Sequence, residues 1–275
     1  MSITPDVVLT HSYCLFIFSS QTTFGSLVIS DQSITCLSTT LIYRDDSFKC
    51  ANDDYIESHY YSVKKSGKIF DDACKQKGFS IFHCNIRSLG ISKALLHNNI
   101  STVKTTPDII AILESKINEN TSANLNIPGY AFVNINSKTQ AGGVGLYLSS
   151  DLEFSRSCDL DISDDGIESC WIELAGIAQK NIVIRCVYRH LKGNRDLFHI
   201  ILKKQLEQLN TKGHEVLVLG DLNENILKYN EDKQTSEYLD MLLSLGFMPI
   251  ITKPNQPRTI RPHLSIIYTR IRPKS

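Results

Sequence analysis

The sequence has no Cys-x-x-Cys pair, no repeating His/Cys spacing, no net charge and no long apolar run. Each absence excludes something. The eight cysteines, at 14, 36, 50, 74, 84, 158, 170 and 186, lack the ligand spacing of a zinc site. Cys84, Cys170 and Cys186 lie inside apolar runs, where Cys behaves as a small hydrophobe. The set reads as that of a protein kept in a reducing, intracellular compartment. Lys plus Arg is 29 and Asp plus Glu is 29. That balance excludes a polybasic tail and disfavours nucleic-acid binding by bulk charge alone. The best apolar stretch, Val7 to Phe18, is broken by Thr10, His11 and Ser12. It falls short of the roughly 20 residues a membrane helix needs. Asp6 stands where a signal peptide would carry a positive charge. No membrane association is expected.

What is present is ordinary globular material. At 275 residues, 42% hydrophobic and 21% charged, the chain is one large domain or two small ones. It can bury a core without disulfide or metal staples. Local charge is uneven: Asp151 to Glu173 holds eight acidic residues and one Arg, whereas Ile251 to Ser275 holds six basic residues and no acidic one. Residues 1–77 are rich in Ser and Thr, carry no motif and are expected to form a poorly ordered leader with a few strands.

From Gly78 the texture changes, and 78–275 reads as the folded domain. Phe79 to Cys84 is strand-like. Ile91 to Val103 has apolar residues at 91, 95, 96, 100 and 103, which predicts a helix. Asp108-Ile-Ile-Ala-Ile-Leu113 carries a short continuous apolar run, as for a strand covered on both faces, and Glu215-Val-Leu-Val-Leu219 is another buried strand. Gly143–Leu148, Cys170–Leu174 and Ile182–Tyr188 are further strands. Phe198 to Leu209 is an amphipathic helix, and Tyr238 to Leu245 a short one ending at Gly246, a C′ glycine. Helices alternate with strands at both ends of this region and strands alone fill its middle. A doubly wound sheet needs a helix after each strand, so the pattern predicts two mixed sheets face to face with helices outside.

Polar residues collect where these strands end: Asn85, Glu114, Tyr188 with Arg189, and Asp221 with Asn223. A carboxylate at the end of an apolar strand is costly unless solvated, paired or metal-bound. Glu114 and Asp221 fit the carboxylate part of a magnesium site, with Asn85 and Asn223 as neutral ligands or donors. Asn and Asp after strands are also ordinary turn residues, and each taken singly has that reading open. Asp221-Leu-Asn223-Glu-Asn225 resembles the start of a calcium loop, but Ile226 stands where the sharp turn needs Gly. Among the eight His, His190 alone has suggestive neighbours, in Tyr188 and Arg189.

Taken in order, Phe-His-Cys-Asn85-Ile-Arg-Ser-Leu, Pro107-Asp-Ile-Ile-Ala-Ile-Leu-Glu114-Ser, Gly129-Tyr, Gly142-Gly-Val-Gly-Leu-Tyr, Cys-Val-Tyr188-Arg-His, Leu-Gly220-Asp-Leu-Asn223 and Gly246-Phe resemble the endonuclease/exonuclease/phosphatase superfamily. Within it they are most similar to the endonuclease domain of jockey-type non-long-terminal-repeat retrotransposons. The resemblance spans roughly residues 78–270. It implies a four-layered α/β sandwich and cleavage of phosphodiester bonds in DNA, with magnesium or manganese and an activated water. It implies that Glu114 and Asn85 stand on the metal side, that Tyr188 contacts the scissile phosphate, and that Asp221 positions or deprotonates the water. It implies too that Asn223 stabilises phosphoryl oxygens and that Arg189 and Thr259 lie on the substrate side. Full-length relatives of this kind carry a reverse transcriptase domain, and action on genomic DNA places them in the nucleus.

The resemblance departs from the family pattern after Thr259. Where the family has a strand of the form Leu-Ile-Asp-His, Leu264-Ser265-Ile266 stands here, with Ser265 at the Asp place. The Ser-Asp-His that supplies the family's catalytic His is expected downstream and does not occur before Ser275. The last strands of one sheet are expected to be missing. Two functions therefore follow: a metal-dependent endonuclease-type phosphodiesterase, or a catalytically inactive mobile-element remnant.

Overall fold

The structure is a computed structural model describing residues 12–19, 23–30, 35–42, 57–61, 78–101, 106–121, 125–139, 141–164, 166–177, 180–212, 215–249 and 265–270. Two mixed sheets pack face to face, with helices on their outer sides.

The first sheet holds β1 (Ser12–Ser19), β2 (Thr23–Ser30), β3 (Thr35–Ile42), β4 (Glu57–Tyr61), β5 (Gly78–Asn85), β6 (Ile109–Leu113), β7 (Tyr130–Ile135) and β8 (Val144–Ser149). Its order is β4-β3-β2-β1-β5-β6-β8-β7. The second holds β9 (Phe154–Arg156), β10 (Ile162–Asp164), β11 (Ile167–Ile177), β12 (Lys180–Arg189), β13 (Glu215–Asp221), β14 (Phe247–Pro249) and β15 (Ser265–Arg270). Its order is β10-β11-β12-β13-β15-β14, with β9 pairing β11.

The first four strands come from the segment before Gly78 and extend the first sheet as an antiparallel meander. Of the apolar stretch at Val7 to Phe18, residues 12–18 lie in β1, which runs antiparallel to β5 with Tyr13 opposite Cys84.

Each sheet contains one parallel pair, β5 with β6 and β12 with β13. Parallel neighbours need a crossover, and a helix fills each one. Helix α1 (Leu89–Ser101) links β5 to β6, and α2 (Arg195–Lys212) links β12 to β13. Helix α3 (Lys233–Ser244) follows β13. In both crossovers the strands run the same way, so their C-terminal ends lie side by side.

Burial explains the apolar runs. Every residue of β6 is buried. Ile109, Ala111 and Leu113 pack into the core between the sheets with Ile184, Cys186 and Leu219. Ile110 and Ile112 face the other way, onto Leu96 and Ile100 of α1. Strand β6 is thus covered on both faces, as its unbroken Ile-Ile-Ala-Ile-Leu requires.

Two sequence expectations shift. The α1 helix turns Leu89, Ser92, Leu96 and Ile100 inward, and Ile91 is 83% exposed. At 3.6 residues per turn Ile91 stands about 200° round from Leu89, off the buried face. Helix α3 starts at Lys233, five residues before the apolar signal at Tyr238. Asp232 caps it by accepting from the Gln234 N–H at 3.2 Å, and Thr235 supplies the first buried turn. Gly246 has φ +78°, as a C′ glycine does.

Candidate active site

The ends of the two parallel pairs meet at one rim. Asn85 ends β5 and Glu114 follows β6. Tyr188 lies in β12 between two acidic neighbours in register, Glu168 of β11 and Asp221 of β13. Asn223 is two residues past Asp221. The close approach of β12 and β13 depends on Gly220, where a Cβ would stand 2.0 Å from the Val187 carbonyl oxygen.

Glu114 is the centre of the contacts. Its Oε1 accepts from Asn85 Nδ2 at 2.6 Å and from the Tyr188 hydroxyl at 3.3 Å. Burial, with Glu114 and Asp221 nearby, pushes the Tyr188 phenol well above its usual range, so it remains a neutral donor. Asn85 Oδ1 is turned to the Arg87 N–H at 3.2 Å. Asp221 is 5% exposed and its Oδ1 accepts from the Asn223 N–H at 3.0 Å.

Backbone strain gathers here. Among the described residues the non-glycine positive φ values belong to Arg87 (54°), Glu114 (52°), Lys116 (54°) and Asn223 (51°). All four lie in the loops that follow β5, β6 and β13 at this rim. Such conformations cost about 1–3 kcal/mol each and persist where the surroundings impose them.

Arg189 has a different place from the substrate side expected of it. It is 4% exposed. Its Nε donates to the Leu222 carbonyl at 2.6 Å and its Nη2 to the Asn223 carbonyl at 2.7 Å, and it pairs with Glu224 at 3.5 Å. In return Asn223 Nδ2 donates to the Arg189 carbonyl. The side chain after Tyr188 faces the other way, over the Phe198 ring of α2, because alternate residues of a strand face opposite ways. It clamps the Asp221–Asn223 loop from beneath. Thr259 lies outside the described residues.

Sequence reasoning passed over Glu224 and Glu168. Glu224, with 1% of its side chain exposed, accepts twice from Arg195 Nε at 2.9 Å and lies 3.1 Å from His199 Nε2. Arg195 also reaches Asp232 at 2.8 Å, tying the start of α2 to the start of α3. Burial pushes the Glu224 carboxyl up, but the hydrogen bonds from His199 and Arg195 and the charge of Arg189 outweigh it and hold it below its usual value. Glu224 sits in a run of polar loop residues, and nothing local in the sequence points to a partner 29 positions away.

Among the described residues no group of three His, Cys, Asp or Glu is placed to hold a metal ion. The donor set here is one carboxylate, Glu114, with an amide beside it. That composition fits a hard divalent cation such as magnesium, which takes one or two carboxylates and fills its other positions with water and substrate phosphate. It does not fit zinc, which wants three or four N, S or O ligands from the protein.

The model of the endonuclease/exonuclease/phosphatase family matches residues 82–231, more than half of the chain. The chain belongs to this family. The matched span runs from β5 past Asn223 and contains the whole rim. Among solved structures, the endonuclease domain of TRAS1, a telomere-specific non-LTR retrotransposon, is similar at 12% identity and a TM-score of 0.50. That match covers 69% of this chain and 84% of the other. A 3'-5' exonuclease (NExo) from Neisseria meningitidis aligns at 14% identity and a TM-score of 0.46 over 68% and 84% of the two chains. The human Nocturnin catalytic domain aligns at 15% identity and a TM-score of 0.46 over 67% and 80%. The first of these shares the fold, a two-sheet α/β sandwich. No curated protein matches the chain. Among the described residues no helix is long and apolar enough to cross a membrane.

Proposed function

We propose that this chain is a divalent-metal-dependent phosphodiesterase of the endonuclease type that nicks DNA. The observation that carries the reading is the joining of Asn85, Glu114 and Tyr188 across the two sheets, with Asp221 next to Tyr188 in register. Glu114 and Asn85 would hold magnesium or manganese, which supplies charge to polarise a phosphoryl oxygen and stabilise the leaving oxygen. Tyr188, a neutral donor with a single O–H, turns that hydrogen from Glu114 to a non-bridging phosphate oxygen when substrate is bound. Asp221 orients the water and accepts its proton as the water oxygen forms the new bond to phosphorus. The bond to the leaving oxygen breaks, and that oxygen takes a proton from solvent. The side-chain amide of Asn223 donates to the phosphoryl oxygens. Likeness to a retrotransposon endonuclease domain supports DNA as substrate, the nucleus as place of action and a reverse transcriptase as working partner.

A second reading, a fold retained without turnover, is favoured by one observation. Ser265 stands directly across from Asp221 in β15, with Ile266 across from Gly220. The family resemblance puts an Asp and a His at these two places, and that Asp supports the family's catalytic His. An imidazole that moves or orients a proton contributes about 10²–10⁴-fold, so cleavage without that support is slow.

The deciding experiment is nicking of supercoiled plasmid by the purified chain with magnesium or manganese, beside D221A. Slow, metal-dependent nicking that disappears in D221A supports the enzyme. Nicking no faster than that of D221A leaves the second reading.

A further inference from the structure

Glu168 is the most deeply buried carboxylate near the rim, at 0% exposure, and the chemistry above does not use it. A buried carboxylate must be satisfied by donors, and its donors lead in two directions. Its Oε2 accepts from the Gly143 N–H. Its Oε1 accepts from Ser137 Oγ at 3.1 Å and lies 3.4 Å from His190 Nε2.

The first direction leads to Glu114. The Gly142–Gly143 turn precedes β8, and its carbonyls receive the two peptides that follow Glu114. Ser115 N–H donates to the Gly143 carbonyl at 3.0 Å and Lys116 N–H to the Gly142 carbonyl at 2.8 Å. Only glycine fits the turn. Gly143 has φ +84°, and a Cβ there would stand 2.3 Å from Ser115 Oγ. A Cβ on Gly142 would stand 2.6 Å from Glu168 Oε2. Glu114 itself holds a left-handed φ of 52°, so the peptides just past it need an external hold.

The second direction leads to Tyr188. The His190 ring meets the Tyr188 ring edge-on, with centroids 4.9 Å apart. Tyr188 then donates to Glu114 and closes a ring of contacts: Glu114, the Ser115–Lys116 peptides, the Gly142–Gly143 turn, Glu168, His190, Tyr188 and back to Glu114.

We propose that Glu168, with His190, is the positioning residue of this site, setting the Glu114 carboxylate through the glycine turn and the Tyr188 hydroxyl through the imidazole. The proposal rests on Glu114 as the metal-side carboxylate. Groups that orient a metal ligand from behind typically change affinity by 10–100-fold when altered. E168Q removes the charge and leaves one acceptor oxygen where Glu168 uses two, so either the Gly143 N–H or the Ser137–His190 side meets an amide N–H in place of a carboxylate oxygen.

The test compares wild type, E168Q, H190A and E114Q in two measurements. Manganese affinity is read from the electron paramagnetic resonance signal of the free ion. Amide hydrogen exchange at Ser115 and Lys116 is read without metal. E168Q is expected to bind manganese about 10-fold more weakly and to exchange Ser115 and Lys116 faster, while the Ile110 to Ile112 amides of β6 keep wild-type rates. H190A should move affinity in the same direction and, being outside the turn, leave the Ser115 and Lys116 amides nearly unchanged. Wild-type exchange at both amides in E168Q overturns the proposal. So does wild-type affinity in E168Q when E114Q has lost binding. Equal affinity in wild type and E114Q overturns the metal reading instead, and the exchange rates then decide the positioning role alone. Should E168Q not fold, H190A carries the affinity measurement, and wild-type affinity there overturns the proposal.

Discussion

The Tyr188 hydroxyl donates to Glu114 Oε1 at 3.3 Å, and this bond joins the two sheets at the rim where their parallel pairs end. The residues are 74 positions apart, one just past β6 of the first sheet and one in β12 of the second. Their bond fixes the distance between a carboxylate suited to a cation and a neutral donor suited to phosphate. The consequence is that a change at either residue affects both the packing of the sheets and the chemistry proposed between them.

Replacing Tyr188 by Phe keeps the ring and removes the donor. The expected loss of stability is about 1 kcal/mol, that of one hydrogen bond, measured by urea unfolding. The nicking rate is expected to fall further, by about 10²-fold, as for a donor aimed at a phosphoryl oxygen. A rate loss no greater than the stability loss explains would take Tyr188 out of the chemistry.

E114Q is expected to weaken manganese binding by about 10-fold or more, because a single carboxylate dominates the proposed site. Asn85→Ala should weaken it less, since an amide oxygen brings no charge. Calorimetric titration of the two variants checks the order. Equal affinity in E114Q and wild type would remove Glu114 from the metal site.

Acid stability should depend on Glu224. Its folded carboxyl is held below the usual value near 4.5, so its contribution is fully present above that value and is lost as pH falls through the depressed folded value. Stability against urea is expected to decline on acidification below about pH 4.5, and E224Q should flatten that part of the profile. At neutral pH E224Q should cost about 3 kcal/mol, because Arg189 and Arg195 lose their buried partner. An unchanged acid limb in E224Q contradicts the assignment.

Thiol accessibility checks the packing between the sheets. Cys158 is exposed, whereas Cys84, Cys170 and Cys186 are buried, and burial pushes the Cys84 and Cys186 thiols up. Native labelling with a maleimide followed by peptide mapping should modify Cys158 and spare those three until denaturant is added. Modification of Cys186 at the rate of Cys158 would contradict the face-to-face arrangement.

Much of the architecture is legible in the chain because it depends on local periodicity. Ile-Ile-Ala-Ile-Leu at 109–113 and Val-Leu-Val-Leu at 216–219 are apolar without alternation, as a strand covered on both faces requires. The 3.6-residue spacing in Phe198 to Leu209 announces α2, and Gly246 announces the end of α3. The polar residues that close these runs mark the rim, since a carboxylate after an apolar strand needs a partner. Other features have no local signature. Strand β7 is only partly buried and alternates weakly, so its sequence does not separate it from a loop. Which face of α1 turns inward was settled by where the helix starts, leaving Ile91 outside. Arg189 reads as a cation beside the site, and only strand alternation in the folded sheet turns it beneath the Leu222–Asn223 peptides. The partnerships of Glu168 with His190 and of Glu224 with Arg195 join residues 22 and 29 positions apart. Composition and spacing determined which residues want to be buried and which need a partner. The tertiary structure decided which partner each one has, because that depends on how two sheets pack and not on any stretch of chain.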